Sequence, residues 1–297
     1  MSDRVVRSGI LVGVDGSASS NAAIRWAARK AAMKNLPLTL VHVRKMPIGG
    51  PSPLAWPATP IPSELMQWQE DEARQVLDDS VKVAEGAVNG VDRLTIKSKA
   101  IFSSPVPTLV DLSKDATMVV VGCRGQGALR RTLLGSVSTG LVHHAHCPVA
   151  VIHDEVPTQS GWPVLLGVDG SPASELATAI AFDEASWRRT SLVALYAWND
   201  ADAAAVPSLE WSSLQMAADK TLAERLAGWC ERYPDVTVRR VVVWDQPARH
   251  LVERSEMAQL VVLGSHGRGG FAGMLLGSVG TAVIHNARTP VIVARQH

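Results

Sequence analysis

The sequence contains few cysteines, and their spacing excludes a disulfide framework. Cys123, Cys147 and Cys230 lie far apart and form no CxxC pair, which fits a reducing compartment better than a secreted scaffold. The chain also lacks an N-terminal apolar stretch of signal-peptide length, and no apolar run reaches the roughly 18 residues that suggest a membrane span. We therefore expect a cytoplasmic protein that does not span a membrane.

An excess of charge of either sign is missing as well. The 29 Lys and Arg residues nearly balance the 28 Asp and Glu residues, so the formal net charge is +1. A chain this close to neutral gives no electrostatic reason to expect a nucleic-acid partner. Hydrophobic residues make up 46% of the 297 residues, which is ordinary for a globular protein of one large domain or two smaller ones.

A duplication is the main feature that the sequence does contain. The pentapeptide Gly-Val-Asp-Gly-Ser stands at 13–17 and again at 167–171, and residues 122–152 match residues 264–294 at 14 of 31 positions without a gap. The period, about 150 residues, is too long for a solenoid repeat and suits a domain. We predict two tandem domains, residues 1–155 and residues 160–297, joined by a polar linker.

Each half alternates short β-branched runs with helical patterns. The apolar run at 10–14 is typical of a strand that is buried on both faces. The predicted strands lie near 9–15, 38–43, 93–100, 117–122, 148–152, 163–169, 191–197, 236–243, 259–264 and 290–294. The predicted helices lie near 18–34, 62–88, 105–114, 136–146, 172–188, 207–231, 247–257 and 278–287. This alternation predicts an α/β protein of two doubly wound, Rossmann-like domains, each with a five-stranded, mostly parallel sheet.

A proline-rich segment at 44–62 interrupts the first half. It holds six prolines and shows no periodicity, so we predict a loop. The loop could cover the first binding site as a lid, or it could be a variable surface loop without that role.

The fourth predicted strand of each half leads into a glycine-spaced segment that reads G-x2-G-x9-G-S. A backbone that bends after a strand and then presents the N–H groups of a helix start is suited to phosphate. Glycine at the strand end permits a positive φ or close approach to a ligand, and Ser at the helix start is a good N-cap. The alternative is that the glycines only form a turn and the serine only caps. The candidate residues are Gly122, Gly125, Gly127, Gly135 and Ser136 in the first copy, and Gly264, Gly267, Gly269, Gly277 and Ser278 in the second.

The first predicted strand of each half ends in an aspartate. Asp15 and Asp169 could accept hydrogen bonds from ribose hydroxyls or take part in binding Mg²⁺. The alternative is that each caps the following helix. Gly13 and Gly167 would let an adenine lie against the strand.

Two common nucleotide-binding motifs do not fit. A Walker A loop needs a lysine, and neither glycine segment contains one. The G-x-G-x-x-G/A fingerprint of dinucleotide-binding proteins is met loosely at 267–272 but fails at 125–130, and both segments follow a fourth strand instead of a first.

These residues resemble the ATP-binding branch of the universal stress protein family, which carries G-x2-G-x9-G-[S/T] after strand four and an Asp at the end of strand one. The resemblance covers nearly the whole chain and implies one ATP in each domain, with Mg²⁺ as a candidate companion near Asp15 and Asp169. It implies phosphate contacts from the glycine-segment residues together with Val137 and Val279. It also implies adenine contacts at the end of strand two, through backbone groups of Val41 or Ala197.

The resemblance further implies pairing through the fifth strands, 149–152 and 290–293. In a tandem chain this pairing can be intramolecular, and two chains can then assemble into a homodimer. The two copies of the site differ, since Arg124 corresponds to His266 and Gln126 to Arg268. Arg130 and Arg131 correspond to Ala272 and Gly273. The extra arginines of the first copy could pair with its phosphates, or they could be solvated, so unequal affinity of the two sites is a hypothesis.

The implied function is a nucleotide-dependent regulator of stress response, dormancy or growth, with an unidentified protein partner. The alternative is a slow ATPase or nucleotidyl-transfer enzyme, although no general base or phosphate-binding lysine is evident and no catalytic residue is predicted. A third hypothesis is a scaffold whose sites no longer bind nucleotide.

Two further groups of residues have candidate roles. Residues 143–147 contain three histidines and a cysteine, which are zinc-binding types, but consecutive histidines on a helix diverge and histidine is also favoured at a helix C-terminus. Trp26, Trp187 and Trp229 fall in helical patterns and are predicted to belong to the core.

Overall fold

The computed structural model describes residues 9–45, 63–88, 94–125, 134–153, 161–198, 211–267 and 276–295. The first half contains β1 (Ile10–Val14), α1 (Ala18–Met33), β2 (Leu38–Arg44), α2 (Ser63–Ala87), β3 (Ile96–Phe102), α3 (Pro105–Leu112), β4 (Met118–Gly122), α4 (Ser136–His144) and β5 (Val149–Ile152). The second half contains β6 (Val164–Val168), α5 (Pro172–Arg188), β7 (Leu192–Trp198), α6 (Trp211–Arg232), β8 (Val238–Trp244), α7 (Pro247–Ser255), β9 (Leu260–Gly264), α8 (Ser278–Asn286) and β10 (Val291–Ala294). The predicted strands and helices are all present, with small shifts at their ends.

The ten strands of the described residues form one sheet in the order β3-β2-β1-β4-β5-β10-β9-β6-β7-β8. The five strands of each half are parallel, which confirms the predicted α/β class. The halves meet where β5 and β10 pair antiparallel, with Val151 opposite Val291 and Val149 opposite Val293. The predicted pairing of the fifth strands is therefore intramolecular, and the two five-stranded sheets are continuous.

Helices cover both faces of the sheet. Alternate residues of β1 point to opposite sides, so Val12 contributes to the core beneath α1, α2, α5 and α6, here called the first face. Leu11 contributes to the core beneath α3, α4, α7 and α8, the second face. Because β-branched and aliphatic side chains fill both cores, the strands read as continuous apolar runs.

The helices that follow β1 and β6 begin in the same way. Ser17 is the N-cap of α1 and accepts a hydrogen bond from the N–H of Ser20 at 3.2 Å. Ser171 caps α5 through the N–H of Ser174 at 3.2 Å, with Pro172 at the first helical position. These caps fix the chain direction immediately after the two aspartates.

A buried polar cluster also joins the halves. Lys30 of α1 forms an ion pair with Glu184 of α5, and Arg188 donates to the same carboxylate with an Nε–Oε2 distance of 3.0 Å. Burial lowers the pKa of Lys30 well below its ordinary value, and nearby Lys34 and Arg188 lower it further. Burial likewise lowers the pKa of Arg188 to about 10.

Several other predictions can be compared with the structure. Trp26 and Trp229 pack against the first-face core as predicted. The prediction for Trp187 is wrong, since its side chain is 49% exposed, with the Lys34 ammonium 5.8 Å from the ring centroid. Residues 46–62 lie outside the described residues, so the role of the proline-rich loop stays a prediction. None of the helices in the described ranges has the length and apolar character of a membrane span.

Candidate functional site

The carboxyl ends of β1 and β4 are neighbours in the sheet, and so are those of β6 and β9. The helix after β1 lies on the first face, whereas the helix after β4 lies on the second. The connections therefore diverge and leave a crevice between them, which is where doubly wound sheets bind ligands. The molecule has one such crevice in each half.

In the first half, the predicted aspartate and glycine segment meet at this crevice. The Asp15 Oδ1 atom accepts a hydrogen bond from the N–H of Ser17 at 3.0 Å. A Cβ atom added to Gly125 would fall 2.7 Å from Asp15 Oδ2, which is closer than real Cβ atoms come to an oxygen. The carboxylate therefore lies directly against the backbone of Gly125, and a side chain at this position would require the carboxylate to move.

The second half repeats this arrangement. Asp169 Oδ1 accepts from the N–H of Ser171 at 2.9 Å, and Asp169 Oδ2 lies 2.6 Å from where a Cβ of Gly267 would stand. The alternative that the aspartates cap the following helices does not hold, because Ser17 and Ser171 occupy the N-cap positions.

Serine hydroxyls that sequence reasoning missed hold the glycine segment in place. Ser19 donates to the carbonyl of Arg124, and Ser171 donates to the carbonyl of His266 at 3.0 Å. In addition, Ser138 Oγ donates to the carbonyl of Gly122 at 2.7 Å. The repeated Gly-Val-Asp-Gly-Ser motif indicated that Ser171 matters. It could not indicate the hydrogen-bond partner, because His266 is distant from Ser171 in the sequence.

Gly122 and Gly264 do not adopt a positive φ, which was one of the two reasons predicted for glycine at these positions. Neither is among the residues with positive φ. A Cβ on Gly122 would fall 2.6 Å from the carbonyl carbon of Ser19, and one on Gly264 would fall 2.8 Å from that of Ala173. These glycines let the end of the fourth strand approach the first turn of the helix on the first face.

The predicted cap at the next helix is shifted by one residue. Gly135 is the N-cap of α4, so Ser136 is its first helical residue, and Gly277 and Ser278 of α8 are arranged in the same way. The N–H of Gly135 donates to the carbonyl of Cys123 at 2.8 Å. A glycine N-cap has no side chain to accept from the first N–H groups of the helix, so a bound anion can do so.

The positions around these serines agree with a site that is open on one side. Ser136 and Ser278 are exposed, whereas Val137 and Val279 pack against the second-face core. The backbone of each helix start is thereby fixed while its first residue faces solvent.

The residues predicted to contact adenine are placed differently from one another. Val41 is buried inside β2, opposite Gly13, and β2 continues to Arg44. Ala197 is half-buried and is the penultimate residue of β7, so the strand-end prediction holds for Ala197 and is wrong for Val41. The register shows that Leu195, opposite Gly167, is the true counterpart of Val41.

The space beside Gly13 and Gly167 holds leucine side chains. A Cβ on Gly13 would fall 3.2 Å from Leu109 Cδ1, and one on Gly167 would fall 2.6 Å from Leu263 Cδ2. Because Gly13 and Gly167 have no side chain, leucine side chains of the second-face core can pack against the strand. These glycines therefore have a packing role in addition to any contact with a base.

Some predicted residues cannot be placed. Gly127, Arg268 and Gly269 lie outside the described residues, and their contacts with phosphate stay predictions.

His143 and His144 lie in the last turn of α4. Among the residues that the structure describes, no group of three or more His, Cys, Asp or Glu side chains could hold a metal ion.

Comparison with known proteins gives a consistent result. The model of the "Universal stress protein family" matches residues 8–153 and 163–295. A universal stress protein of Mycobacterium tuberculosis strain H37Rv is 56% identical over 291 residues, which cover 97% of each chain. A second from the same strain is 55% identical over 291 residues, covering 97% of this chain and 96% of the relative.

A solved structure shows the same fold. The universal stress protein from Archaeoglobus fulgidus superimposes with a TM-score of 0.73 at 21% sequence identity, covering 98% of this chain and 100% of that one.

Proposed function

The chain belongs to the universal stress protein family, and from this membership we propose that it binds one ATP at each crevice and acts as a nucleotide-dependent regulator of stress response, dormancy or growth. The observation that carries the proposal is the duplicated contact between an aspartate and a glycine segment, with 2.7 Å from Asp15 Oδ2 to the Cβ position of Gly125 and 2.6 Å in the second half. Two copies that keep the same contact support two working sites.

Each part of the crevice has a role that suits a nucleotide. The backbone of the glycine segment and the first turn of α4 would take the phosphates, because their N–H groups and the helix dipole favour an anion. Asp15 would accept from ribose hydroxyls. Mg²⁺ prefers one or two carboxylates together with phosphate oxygens and water, so a single aspartate suits an ion that arrives with the nucleotide. The second half would use Asp169 and α8 in the same way.

The nucleotide content of the purified protein tests this proposal. Protein prepared without added nucleotide is denatured, and the supernatant is separated by ion-exchange chromatography. We expect about two adenine nucleotides per chain, one for each crevice. Gly125→Ala and Gly267→Ala should each remove about one, because the new methyl group must displace the aspartate or the loop.

The control is Gly228→Ala in α6, where an added Cβ meets no atom within 4 Å. This variant should keep the full nucleotide content. Full occupancy in the doubly substituted Gly125→Ala, Gly267→Ala protein would contradict the proposed sites. A wild-type protein that contains no nucleotide and binds no ATP in titration would overturn the function itself.

The same sample tests the enzyme alternative. If the ATP-to-ADP ratio falls during incubation and Gly135→Ala abolishes the fall, the crevice hydrolyses ATP. A constant ratio supports a regulator that responds to occupancy.

We also propose that two chains form a homodimer. Because β5 and β10 pair within the chain, a dimer must use another surface, which nucleotide binding could alter. Sedimentation velocity with and without ATP tests this, and a monomer under both conditions would contradict it.

A further inference from the structure

The loop that carries Asp169 is in contact with a guanidinium group. Gly170 follows Asp169 and has a φ of +77°. A Cβ atom added to Gly170 would fall 1.9 Å from Nη1 of Arg225 and 2.2 Å from its Cζ. The Arg225 guanidinium, which comes from α6, therefore packs directly against the loop between the end of β6 and the N-cap of α5.

Among the described residues, this guanidinium has no carboxylate partner. Arg225 is half-buried, and its Nε atom is buried without a hydrogen-bond partner. In the described part of the chain, no carboxylate oxygen lies within 4.0 Å of its guanidinium nitrogens. It also lies beside the N-terminus of α5, where the helix dipole disfavours a cation. A half-buried cation in this position is stabilised when an anion binds nearby.

The position in the first half that corresponds to Arg225 is not occupied by a cation. The helices α2 and α6 correspond residue by residue, since buried Ala73 and Leu77 occupy the places of buried Ala218 and Leu222. In this register the counterpart of Arg225 is Ser80, a much smaller residue.

A groove replaces the guanidinium there. It has a volume of about 240 Å³ and lies between α1 and α2, beside Gly16, the counterpart of Gly170. Ser80 lines the groove, together with Glu72, which forms an ion pair with Arg44, and Asp79, which forms one with Lys82. The two equivalent loops therefore differ at one position of the neighbouring helix, where the second half has the cation Arg225 and the first half has the neutral Ser80.

We propose that Arg225 is a positioning and specificity residue that makes the second crevice the stronger site for nucleotides with several phosphates. The inference rests on the proposed nucleotide binding. Arg225 acts through the Asp169–Ser171 loop that it supports and through its charge, so its effect grows with the negative charge of the ligand. The first crevice, which has Ser80 in place of the arginine, discriminates less between AMP and ATP.

Calorimetric titration of AMP and ATP at low and at physiological ionic strength tests the proposal. The second crevice is studied alone in the Gly125→Ala background, and the first alone in the Gly267→Ala background. In the former, Arg225→Gln should weaken ATP binding about three- to tenfold, weaken AMP binding much less, and reduce the salt dependence of ATP affinity. Arg225→Lys, which keeps the charge, should recover most of the ATP affinity.

The internal repeat supplies the reciprocal experiment. In the Gly267→Ala background, Ser80→Arg should strengthen ATP binding at the first crevice more than AMP binding, whereas Ser80→Gln, a neutral side chain that also enters the groove, should not. Equal weakening of AMP and ATP by Arg225→Gln would assign Arg225 to packing alone and overturn the proposal.

The remaining outcomes separate the two proposals. Unchanged ATP affinity after Arg225→Gln, with nucleotide binding otherwise intact, would overturn only the role of Arg225. Absence of binding at both crevices of the wild-type protein would overturn the proposed function and this inference together.

Discussion

At the scale of single residues, Gly122 and Gly264 are explained by their neighbours. Gly122→Ala would place a methyl carbon 2.6 Å from the carbonyl carbon of Ser19, and backbone atoms cannot move aside as a flexible side chain can. We expect a loss of about 1–3 kcal/mol in the free energy of unfolding, measured by urea denaturation. Gly264→Ala should lower the free energy of unfolding by a similar amount.

The matched control for this substitution is Gly228→Ala. It lies inside α6 with open space around its Cα, so alanine should stabilise the protein by about 0.5–1 kcal/mol through helix propensity. If both substitutions had the same effect, close packing at the end of β4 would not explain Gly122.

Residues of the site differ in how far the sequence could predict them. Asp15 and the glycine segment could each be placed at the end of a strand from the sequence, because each follows an apolar run and both copies keep the motif. The choice between Gly135 and Ser136 as N-cap could not be made in this way, since both residue types cap helices and differ by one position. Val41 was misplaced because the extent of β2 depends on its pairing with β3, where Arg44 still lies opposite Phe102.

At the scale of secondary structure elements, a side chain from each half contacts main-chain carbonyls near the C-terminus of a helix in the other half. Arg295, which follows β10, donates to the carbonyls of Val142 and Ala145 at the C-terminus of α4, at 2.8 and 2.9 Å. His153, its counterpart after β5, contacts the carbonyl of Ile284 in α8 at 3.2 Å. The N-termini of α4 and α8 border the two crevices, so these contacts connect each crevice with the opposite half.

The two contacts should differ in strength. Arg295 is buried, and Arg295→Ala leaves two buried carbonyls without their donor, so we expect a loss of about 1–3 kcal/mol. His153→Ala removes a single longer contact and should cost less. Urea denaturation of both variants measures the difference, and a larger loss for His153→Ala would contradict this assignment.

The elements themselves were largely predictable, whereas their contacts were not. Strands buried on both faces are apolar throughout, so runs such as Met118–Gly122 are visible in the sequence. The helix-end contacts of Arg295 join positions that are 150 and 153 residues apart. No local pattern indicates such a pair, because its geometry depends on how β5 and β10 meet.

At the scale of the whole molecule, two separate sets of contacts join the halves. Main-chain pairing of β5 with β10 continues the sheet across the midline, and the cluster of Lys30, Glu184 and Arg188 bridges the first face. Both links are buried, so separation of the halves would expose apolar strand faces and charged groups together. We therefore expect unfolding of the wild-type protein in a single transition.

Glu184→Gln tests whether the buried cluster contributes to the unfolding of both halves in a single transition. The substitution leaves the ammonium of Lys30 and the guanidinium of Arg188 buried without the carboxylate that both contact. Removing one member of a buried ion pair typically costs about 3–5 kcal/mol, because the remaining charge stays desolvated. We expect a loss of this size, with tryptophan fluorescence and circular dichroism no longer following the same urea transition. Glu253→Gln, at an exposed pair with Arg249, is the matched control and should change little. If the two variants were equally stable, the pairing of β5 with β10 would be sufficient to make the two halves unfold together.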